Sequence, residues 1–212
     1  MRESDLPDLL VVNGHDEVTR CLPYATWTNL ADAWAWLERM QTTQASESAL
    51  QRGVVDKASA AVVDSCLLFQ YDASSARAER GYVLGRAYWG QGLMHEALTV
   101  LLDCAFYTLS LRRIETEVDP RNVASGKLLK GLGFTSKGIL RARWVTKGAA
   151  RNVELFGLLR PEWRTSPRQL LHRTGGAGCL GPGPLPWRWA WCWRACGCSA
   201  FWARYSGAGC CP

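Results

Sequence analysis

The residues best suited to hold a ligand form a glycine turn between a strand and a helix. The strand ends at Tyr82-Val83-Leu84, Gly90 and Gly92 make the turn, and apolar residues then recur at helical spacing from Leu93. Because the first amides of a helix lack partners and carry partial positive charge, this turn suits a phosphate or pyrophosphate. A Gly-x-Gly before a helix is nevertheless more often a simple turn. The missing Gly-Lys-Ser/Thr and third glycine exclude a P-loop and a dinucleotide fingerprint.

A second group of polar residues follows the next predicted strand. Arg113–Val118 alternates charged with smaller or apolar residues, as a strand does, and Asp119-Pro-Arg-Asn122 then turns into a helix with Ser125 in its first turn. The simplest role of Asn122 is to cap this helix, and Ser125 then only fills the first turn. A chemical role is compatible with both structural roles, so the two interpretations remain open.

In order and spacing, these segments resemble the GNAT superfamily of N-acetyltransferases, specifically its RimJ/RimL-like branch, over about residues 4–163. The matching pieces are residues 81–84, 88–92, 96–98, 119–122 with Ser125, 132–134, 138–141 and 158–163. The resemblance implies an α/β (α+β) fold, with a mixed central sheet and helices on both faces. Strands alternating with helices, followed by a closing hairpin, are consistent with that architecture.

The resemblance also implies acetyl coenzyme A (acetyl-CoA) as the cosubstrate, and no metal. The pyrophosphate would lie on the backbone amides of Trp89, Gly90, Gln91, Gly92, Leu93 and Met94. The amide-rich pantetheine arm would pair with the free edge of the strand at Tyr82, Val83 and Leu84, because in this fold that strand and the next splay apart. Trp89 and Met94 depart from the loop pattern of the family, but backbone amides do the holding.

Acetyl transfer to an amine needs a base for the amine proton, a donor for the developing oxyanion and a proton for the leaving thiolate. Asn122 and Ser125 match family positions near the pantetheine and the thiol, so the resemblance implies that Ser125 protonates the thiolate. Some relatives carry a glutamate base where this chain has Trp144. Glu79, at the start of the glycine-loop strand, is the candidate base here, and its alternative is an exposed strand-end carboxylate.

The predicted function is therefore transfer of an acetyl group from acetyl-CoA to a primary amine by direct attack in a ternary complex. The acceptor could be a protein N-terminus, an aminoglycoside-like compound or a polyamine. Arg80 and Lys137 stand where the family prefers apolar and acidic residues. These departures support an alternative, a non-catalytic or decayed relative that at most binds coenzyme A.

The first half of the chain predicts two helices and two strands ahead of the glycine turn. An apolar segment from Leu6 to Val12 predicts the first helix, and Asn29 and Asp32 can cap the second. Residues 52–57 and 61–69 read as successive strands. The family usually has a further strand before the first helix, and this sequence begins at the tail of that pattern. Its absence would leave a sheet edge exposed.

After Phe134 the sequence predicts a strand through Val145, a turn at Lys147-Gly148 and a last strand over residues 153–159. Beyond residue 165 the composition changes. Residues 166–212 contain no Lys, Asp or Glu, but hold five of the eleven tryptophans and six of the nine cysteines. We therefore predict an acetyltransferase domain over residues 1–165 and a low-complexity, disordered tail, which a shifted reading frame would explain. Its cysteines lack the paired spacing of a zinc site.

The net charge of +6 comes entirely from the end of the chain. Up to Glu162 the sequence has 19 acidic and 19 basic residues, so the predicted domain offers polyanions no net attraction and we expect no nucleic-acid partner. No run of eighteen or more apolar residues predicts a membrane span, and no signal peptide is evident at the start. We expect a cytoplasmic location, with separated, reduced cysteines in the domain. The sequence leaves a homodimer open.

Overall fold

The sheet that carries the glycine turn has six strands, in the order β1-β2-β3-β4-β6-β5. A computed structural model describes residues 1–46, 48–56 and 61–164 of the chain. The strands are β1 Leu50–Val55, β2 Val62–Asp72, β3 Arg77–Leu84, β4 Arg113–Val118, β5 Thr135–Thr146 and β6 Ala149–Leu159. The helices are α1 Leu6–Asn13, α2 Asp16–Thr19, α3 Leu30–Ala45, α4 Leu93–Asp103, α5 Val123–Gly131 and α6 Arg160–Arg164. Only β3 and β4 are parallel neighbours; the other pairs are antiparallel.

The predicted helices form where their caps and apolar spacing place them. The Asn29 side chain accepts a hydrogen bond from Ala31 N at the start of α3, and Asp32 completes a capping box by accepting from the backbone of Asn29. The predictions for α1 and α3 are therefore confirmed. The four-residue helix α2 was not predicted, because so short a segment carries no periodic signal.

Helices cover both faces of the sheet, as expected. Val62 and Val63 are neighbours on β2, so their side chains point to opposite faces. Val62 packs with Leu6, Leu9, Trp27 and Leu37 beneath α1 and α3. Val63 belongs to the larger core, which also contains residues from α4, α5 and the closing strands: Leu98, Leu102, Phe106, Ile114, Leu129, Phe156 and Leu158. The predicted mixed sheet with helices on both faces is confirmed.

The two parallel strands diverge soon after they meet. Backbone pairing between β3 and β4 is confined to residues Arg77, Ala78 and Glu79 opposite Arg113, Ile114 and Glu115. Further along, the Thr116 hydroxyl donates to the carbonyl of Arg80 at 3.1 Å. Residues 82–84 of β3 thus pair with β2 on one side but with no residue of β4 on the other, among the part of the chain described here. The predicted splay is confirmed.

Several boundaries differ from the sequence prediction. The last strand, β6, begins at Ala149 rather than at residue 153, so that it pairs with β5 along the whole hairpin. After α4 the chain continues as a π-helical turn, Cys104–Thr108, within the stretch of helical apolar spacing that begins at Leu93 and runs through Leu109. In the ranges described, β1 pairs with β2 alone and no strand precedes α1, so β1 forms one edge of the sheet.

The predicted boundary at residue 165, the tail over residues 166–212 and its cysteines lie outside the described residues. Among the residues that are described, no helix is both long enough and apolar enough to cross a membrane. The same residues contain no group of three or more His, Cys, Asp or Glu side chains arranged to hold a metal ion.

Candidate active site

The glycine turn leaves the N-terminus of α4 without a side-chain cap. Gly90 and Gly92 have φ angles of 74° and 79°, in the left-handed region that L side chains rarely adopt. Gly92 is the N-cap of α4, and no side chain in the described structure caps this end of the helix. Leu93 and Met94 are the first residues of this eleven-residue helix, where backbone amides have no partner within the helix.

Side chains of residues 86–91 hold the glycine turn against β3. The indole Nε1 of Trp89 donates to the carbonyl of Leu84 at 2.8 Å, and the Arg86 guanidinium lies 4.8 Å from the centroid of the indole ring. Gln91 Nε2 donates to the carbonyl of Ala87 at 2.9 Å. Trp89 thus has an anchoring role that sequence reasoning missed. The Leu84 carbonyl already accepts this hydrogen bond through one lone pair. Fewer backbone groups of β3 are therefore left for a ligand than the sequence predicted.

The first turn of α5 places Ser125 deep in the protein. The Asn122 side-chain oxygen accepts a hydrogen bond from Ser125 N at 3.1 Å, so the capping role expected of Asn122 is confirmed. Ser125 is 7% exposed, and its hydroxyl lies 2.5 Å from the hydroxyl of Tyr82. The splay of β3 from β4 thus lets a side chain of β3 reach α5. The structure thus brings the hydroxyl of Ser125 together with that of Tyr82, for which the sequence predicted only a backbone contact.

Arg80 is the most unusual side chain near this pair. It is 2% exposed, and its guanidinium carbon lies 4.7 Å from the ring centroid of Tyr82 and 5.0 Å from that of Phe134. Within the described structure, its Nε, Nη1 and Nη2 atoms have no hydrogen-bond partner. Burial lowers the pKa of Arg80, and Tyr82 partly offsets this. Arginine nevertheless stays charged in proteins, so the core holds a cation between two aromatic rings.

Glu79 lies on the opposite face of β3, because neighbouring residues of a strand alternate. It is in register with Glu115 of β4, and Glu117 follows on the same face of that strand. Burial raises the pKa of the Glu79 carboxyl, and the charges of Glu117 and Glu115 add to this, against the opposing effects of Arg77 and Arg143. A carboxylate with a raised pKa is a better proton acceptor, as a general base requires.

The other two carboxylates of this face are held by partners. Glu115 pairs with Arg77 at 2.9 Å and with Arg113 at 2.6 Å. Glu117 accepts a hydrogen bond from Trp144 Nε1 at 2.7 Å. The residue that replaces the glutamate of some relatives therefore contacts a carboxylate from another strand. Sequence alignment alone could not show this contact, because it joins β5 to β4.

An open pocket of about 360 Å³ lies where α2, the turn before α5 and the β5–β6 hairpin meet. Lys147 Nζ donates to the carbonyl of Thr19 at 3.0 Å and ties the hairpin to α2. The lining side chains are Asp16, Glu17, Arg20, Arg121, Lys147 and Arg151. Four of these six are cationic. The positive charge of Arg121 is partly met by the buried carboxylate of Asp119, with which it forms an ion pair.

The two faces of β3 carry different chemical groups. Tyr82, Ser125 and Arg80 lie on the side of the sheet that faces α5, and Glu79 lies on the other side. The gap between β3 and β4 joins the two sides. Hydroxyls therefore lie on one side of β3 and a group of carboxylates on the other.

Comparison with known proteins identifies the family of this chain. The family described as "Acetyltransferase (GNAT) domain" matches residues 1–135. The chain is 34% identical over 147 residues to the uncharacterized N-acetyltransferase p20 of Bacillus licheniformis, and the match covers 69% of this chain and 83% of that protein. It is 36% identical over 83 residues to the ribosomal protein uS5-alanine N-acetyltransferase of Escherichia coli (strain K12), a match that covers 39% of this chain and 43% of that enzyme.

A solved structure shows the same fold at low sequence identity. The spermidine N-acetyltransferase from Vibrio cholerae in complex with CoA and spermine superposes with a TM-score of 0.68 at 16% identity. The superposition covers 77% of this chain and 94% of that one. Since the matching family domain spans well over half of the 212 residues and the 34% identical relative covers 69% of them, the chain belongs to the GNAT acetyltransferase family, in its RimJ/RimL-like branch, and is an acyltransferase.

Proposed function

We propose that this protein transfers the acetyl group of acetyl-CoA to a primary amine by direct attack in a ternary complex. The observation that carries the proposal is the uncapped N-terminus of α4 behind two left-handed glycines, next to the edge of β3 that β4 leaves unpaired. A helix N-terminus attracts a pyrophosphate, and an open strand edge can pair with the amides of a pantetheine arm.

Binding of the cosubstrate would use backbone groups more than side chains. The amides of residues 89–94 would hold the pyrophosphate, and Tyr82 would supply most of the free strand edge, because the backbone of Val83, like that of Gly85, faces β2. Met94 is 5% exposed and packs in the main core, so its side chain leaves the mouth of the loop clear. Asn122 would act through the helix it caps, by fixing Ser125 beside the strand edge.

The chemistry then needs one proton removed and one supplied. Glu79, whose pKa is raised by burial and by two neighbouring carboxylates, would take the proton from the amine that attacks the thioester carbonyl. As the carbon–sulfur bond breaks, Ser125 would donate a proton to the departing thiolate. The buried position of Ser125, 7% exposed, keeps water from competing for that step.

The acceptor class follows from chemistry that the similar proteins share. One relative is named for the alanine of a ribosomal protein, and one structural neighbour is named for spermidine. Both of these acceptors present an amine. We therefore propose that the acceptor here is a peptide N-terminus or a small-molecule amine.

Calorimetry with acetyl-CoA on the full chain tests the proposal directly. The unmutated protein should bind, and Gly92→Glu should abolish binding through backbone strain and repulsion of the pyrophosphate. Gly148→Glu is the matched control, because Gly148 also has a left-handed φ, of 72°, but lies in the β5–β6 turn. A panel of amines, followed by release of free thiol, should then identify acceptors. No binding by the unmutated chain would refute the proposed function.

A further inference from the structure

We propose that Tyr82 supplies, through Ser125, the proton that the leaving thiolate takes up, and that Arg80 positions Tyr82 for this relay. The inference rests on the proposed function and assigns two further residues to it. Neither residue was given a side-chain role by the sequence, which assigned Tyr82 only a backbone contact and noted Arg80 only as a departure from the family pattern.

The two hydroxyls form a direct contact between β3 and α5. Tyr82 Oη and Ser125 Oγ are 2.5 Å apart, which is a short hydrogen bond between side chains of β3 and α5. The backbone of Ser125 is held by the Asn122 cap, so the position of its hydroxyl is fixed from one side. With Tyr82 as the donor, the Ser125 proton is free to point toward a sulfur atom in the gap between β3 and β4.

A second donor behind Ser125 is chemically useful because an aliphatic hydroxyl is a very weak acid. Ser125 alone would become an alkoxide if it gave its proton to a thiolate. A phenol is a much stronger acid, so transfer from Tyr82 to Ser125 as Ser125 protonates the thiolate avoids the alkoxide. The Tyr82 phenolate then recovers a proton from water after the products leave. The amine proton goes separately to Glu79, which releases it to water after the products leave, so one proton leaves the amine and one reaches the thiolate with no net change in the enzyme.

Arg80 provides a positive charge beside the ring on which a transient phenolate would form. Its guanidinium stacks over the Tyr82 ring at 4.7 Å and over the Phe134 ring at 5.0 Å, so two aromatic faces hold it in place. Its charge lies next to the ring on which negative charge would develop, in a low-dielectric core where that attraction is strong. Among the described residues, the groups that act on the charge of Arg80 are Tyr82 and Cys66 and include no carboxylate, and its three nitrogens have no hydrogen-bond partner there.

A purely structural role explains Arg80 poorly. Burying a cation without hydrogen-bond partners is costly, and a well-packed apolar side chain at such a position is often neutral or stabilising. Besides Tyr82, the neighbours of Arg80 are Phe134 and Cys66, both members of the main apolar core. The guanidinium therefore lowers stability at this position, which is consistent with a role in the chemistry.

The test compares Tyr82→Phe with the unmutated full chain. The substitution removes one oxygen and keeps the ring under Arg80. We expect kcat to fall by about 100-fold, as for loss of a proton-transfer group, while the Kd for acetyl-CoA measured by calorimetry stays within a factor of about three. Tyr71→Phe is the matched control, because Tyr71 also packs against the main core but lies at the far end of β2. It should leave both quantities unchanged.

A readout specific to proton transfer comes from rates in mixtures of H₂O and D₂O. A relay that moves two protons in one step gives a curved dependence of kcat on the deuterium fraction, and Tyr82→Phe should make it linear. Arg80→Met, which keeps the volume but removes the charge, should also lower kcat, and Arg80→Lys should restore part of it. A straight dependence in the unmutated chain, or unchanged kcat in Tyr82→Phe and Arg80→Met, would overturn the relay.

These outcomes separate the relay from the proposed function. If the unmutated chain binds acetyl-CoA and acetylates an amine, but Tyr82→Phe is fully active, only the relay is wrong. If the unmutated chain does not bind acetyl-CoA, the proposed function fails and the relay falls with it. Should Tyr82→Phe not fold, Arg80→Met and the H₂O/D₂O rates of the unmutated chain decide the question.

Discussion

Glu79 is the residue whose protonation would govern how activity changes with pH. A general base must be deprotonated, so the rate falls as the pH drops through its pKa. Burial and the charges of Glu117 and Glu115 raise that pKa, so the acidic limb should lie at higher pH than for an ordinary glutamate. We expect Glu79→Gln to remove this limb and to lower kcat/KM near neutral pH by about 100-fold. If water alone takes the amine proton, the profile would follow the acceptor and the substitution would change little.

The same raised pKa predicts an effect on stability with a definite sign. Where the folded state binds the proton more tightly than the unfolded state, stability is greatest below the unfolded pKa and falls as the pH rises through the folded pKa. In the unmutated chain, deprotonation of Glu79 at higher pH lowers the stability of the folded state. Glutamine does not titrate, so Glu79→Gln should raise Tm more at pH 7 than at pH 4. Glu115→Gln is the control, since it breaks ion pairs with Arg77 and Arg113 and should lower Tm. An equal Tm change at both pH values would contradict the assignment.

Contacts between residues close together in the sequence could be predicted, whereas contacts between distant residues could not. The Asn122 cap and the Asn29 cap were predictable because a cap joins residues only two or three positions apart. The Tyr82–Ser125 contact was not, because it depends on how far β3 and β4 diverge. Arg80 stood out as unusual in the sequence, but only the fold shows that Tyr82 and Phe134 enclose it.

Among the elements, the hairpin of β5 and β6 and the short helix α2 form the rim of the charged pocket. Arg151 lines this pocket, and the described structure shows no hydrogen bond from its side chain. The hydrogen bond from Arg121 lowers the pKa of Asp119, and the charge of Arg151 adds a smaller effect in the same direction. Four cations against two carboxylates should favour acceptors with an acidic group near the amine. We expect Arg151→Ala to lower the preference for a peptide with aspartate at its second position over one with lysine by about two- to fivefold.

The measurement is the ratio of kcat/KM values for the two peptides, which cancels effects common to both. Arg141→Ala is the matched control, because Arg141 is exposed on β5 and does not line the pocket. It should leave the ratio unchanged. Equal ratios in the unmutated chain and in Arg151→Ala would show that the pocket does not discriminate between acidic and basic acceptors.

At the level of elements, prediction succeeded where the residue pattern is long or sharply bounded. The strand Arg113–Val118 alternates over its full length, and its bounds are those predicted. Helix α2 was missed, because four residues set no period. The helical spacing from Leu93 covers the π-helical turn Cys104–Thr108 but does not distinguish it from α-helix. The early start of β6 follows from its pairing with β5, which no local signal in β6 specifies.

For the whole molecule, the order of segments indicated a sheet with helices on both faces, and the two apolar clusters on either side of it confirm this. The pairing of β3 with β4 over only three residues decides where a ligand can enter. That divergence could be anticipated from family resemblance but not from composition, since it is a property of two strands separated by the helix α4.

The last segment of the described structure closes the main core. The ring centroid of Trp163 lies 6.4 Å from that of Phe106, its Nε1 donates to Asp103 at 2.8 Å, and the residue is 4% exposed.

The tail predicted from residue 166 has no periodic pattern that would add to this core. A chain ending at residue 166 should therefore keep the Tm and the acetyl-CoA affinity of the full chain. A chain ending at residue 159 also loses Trp163, and its Tm should fall by about 10 °C or more. A drop of several degrees in the longer truncation would show instead that the residues beyond 166 pack against the domain.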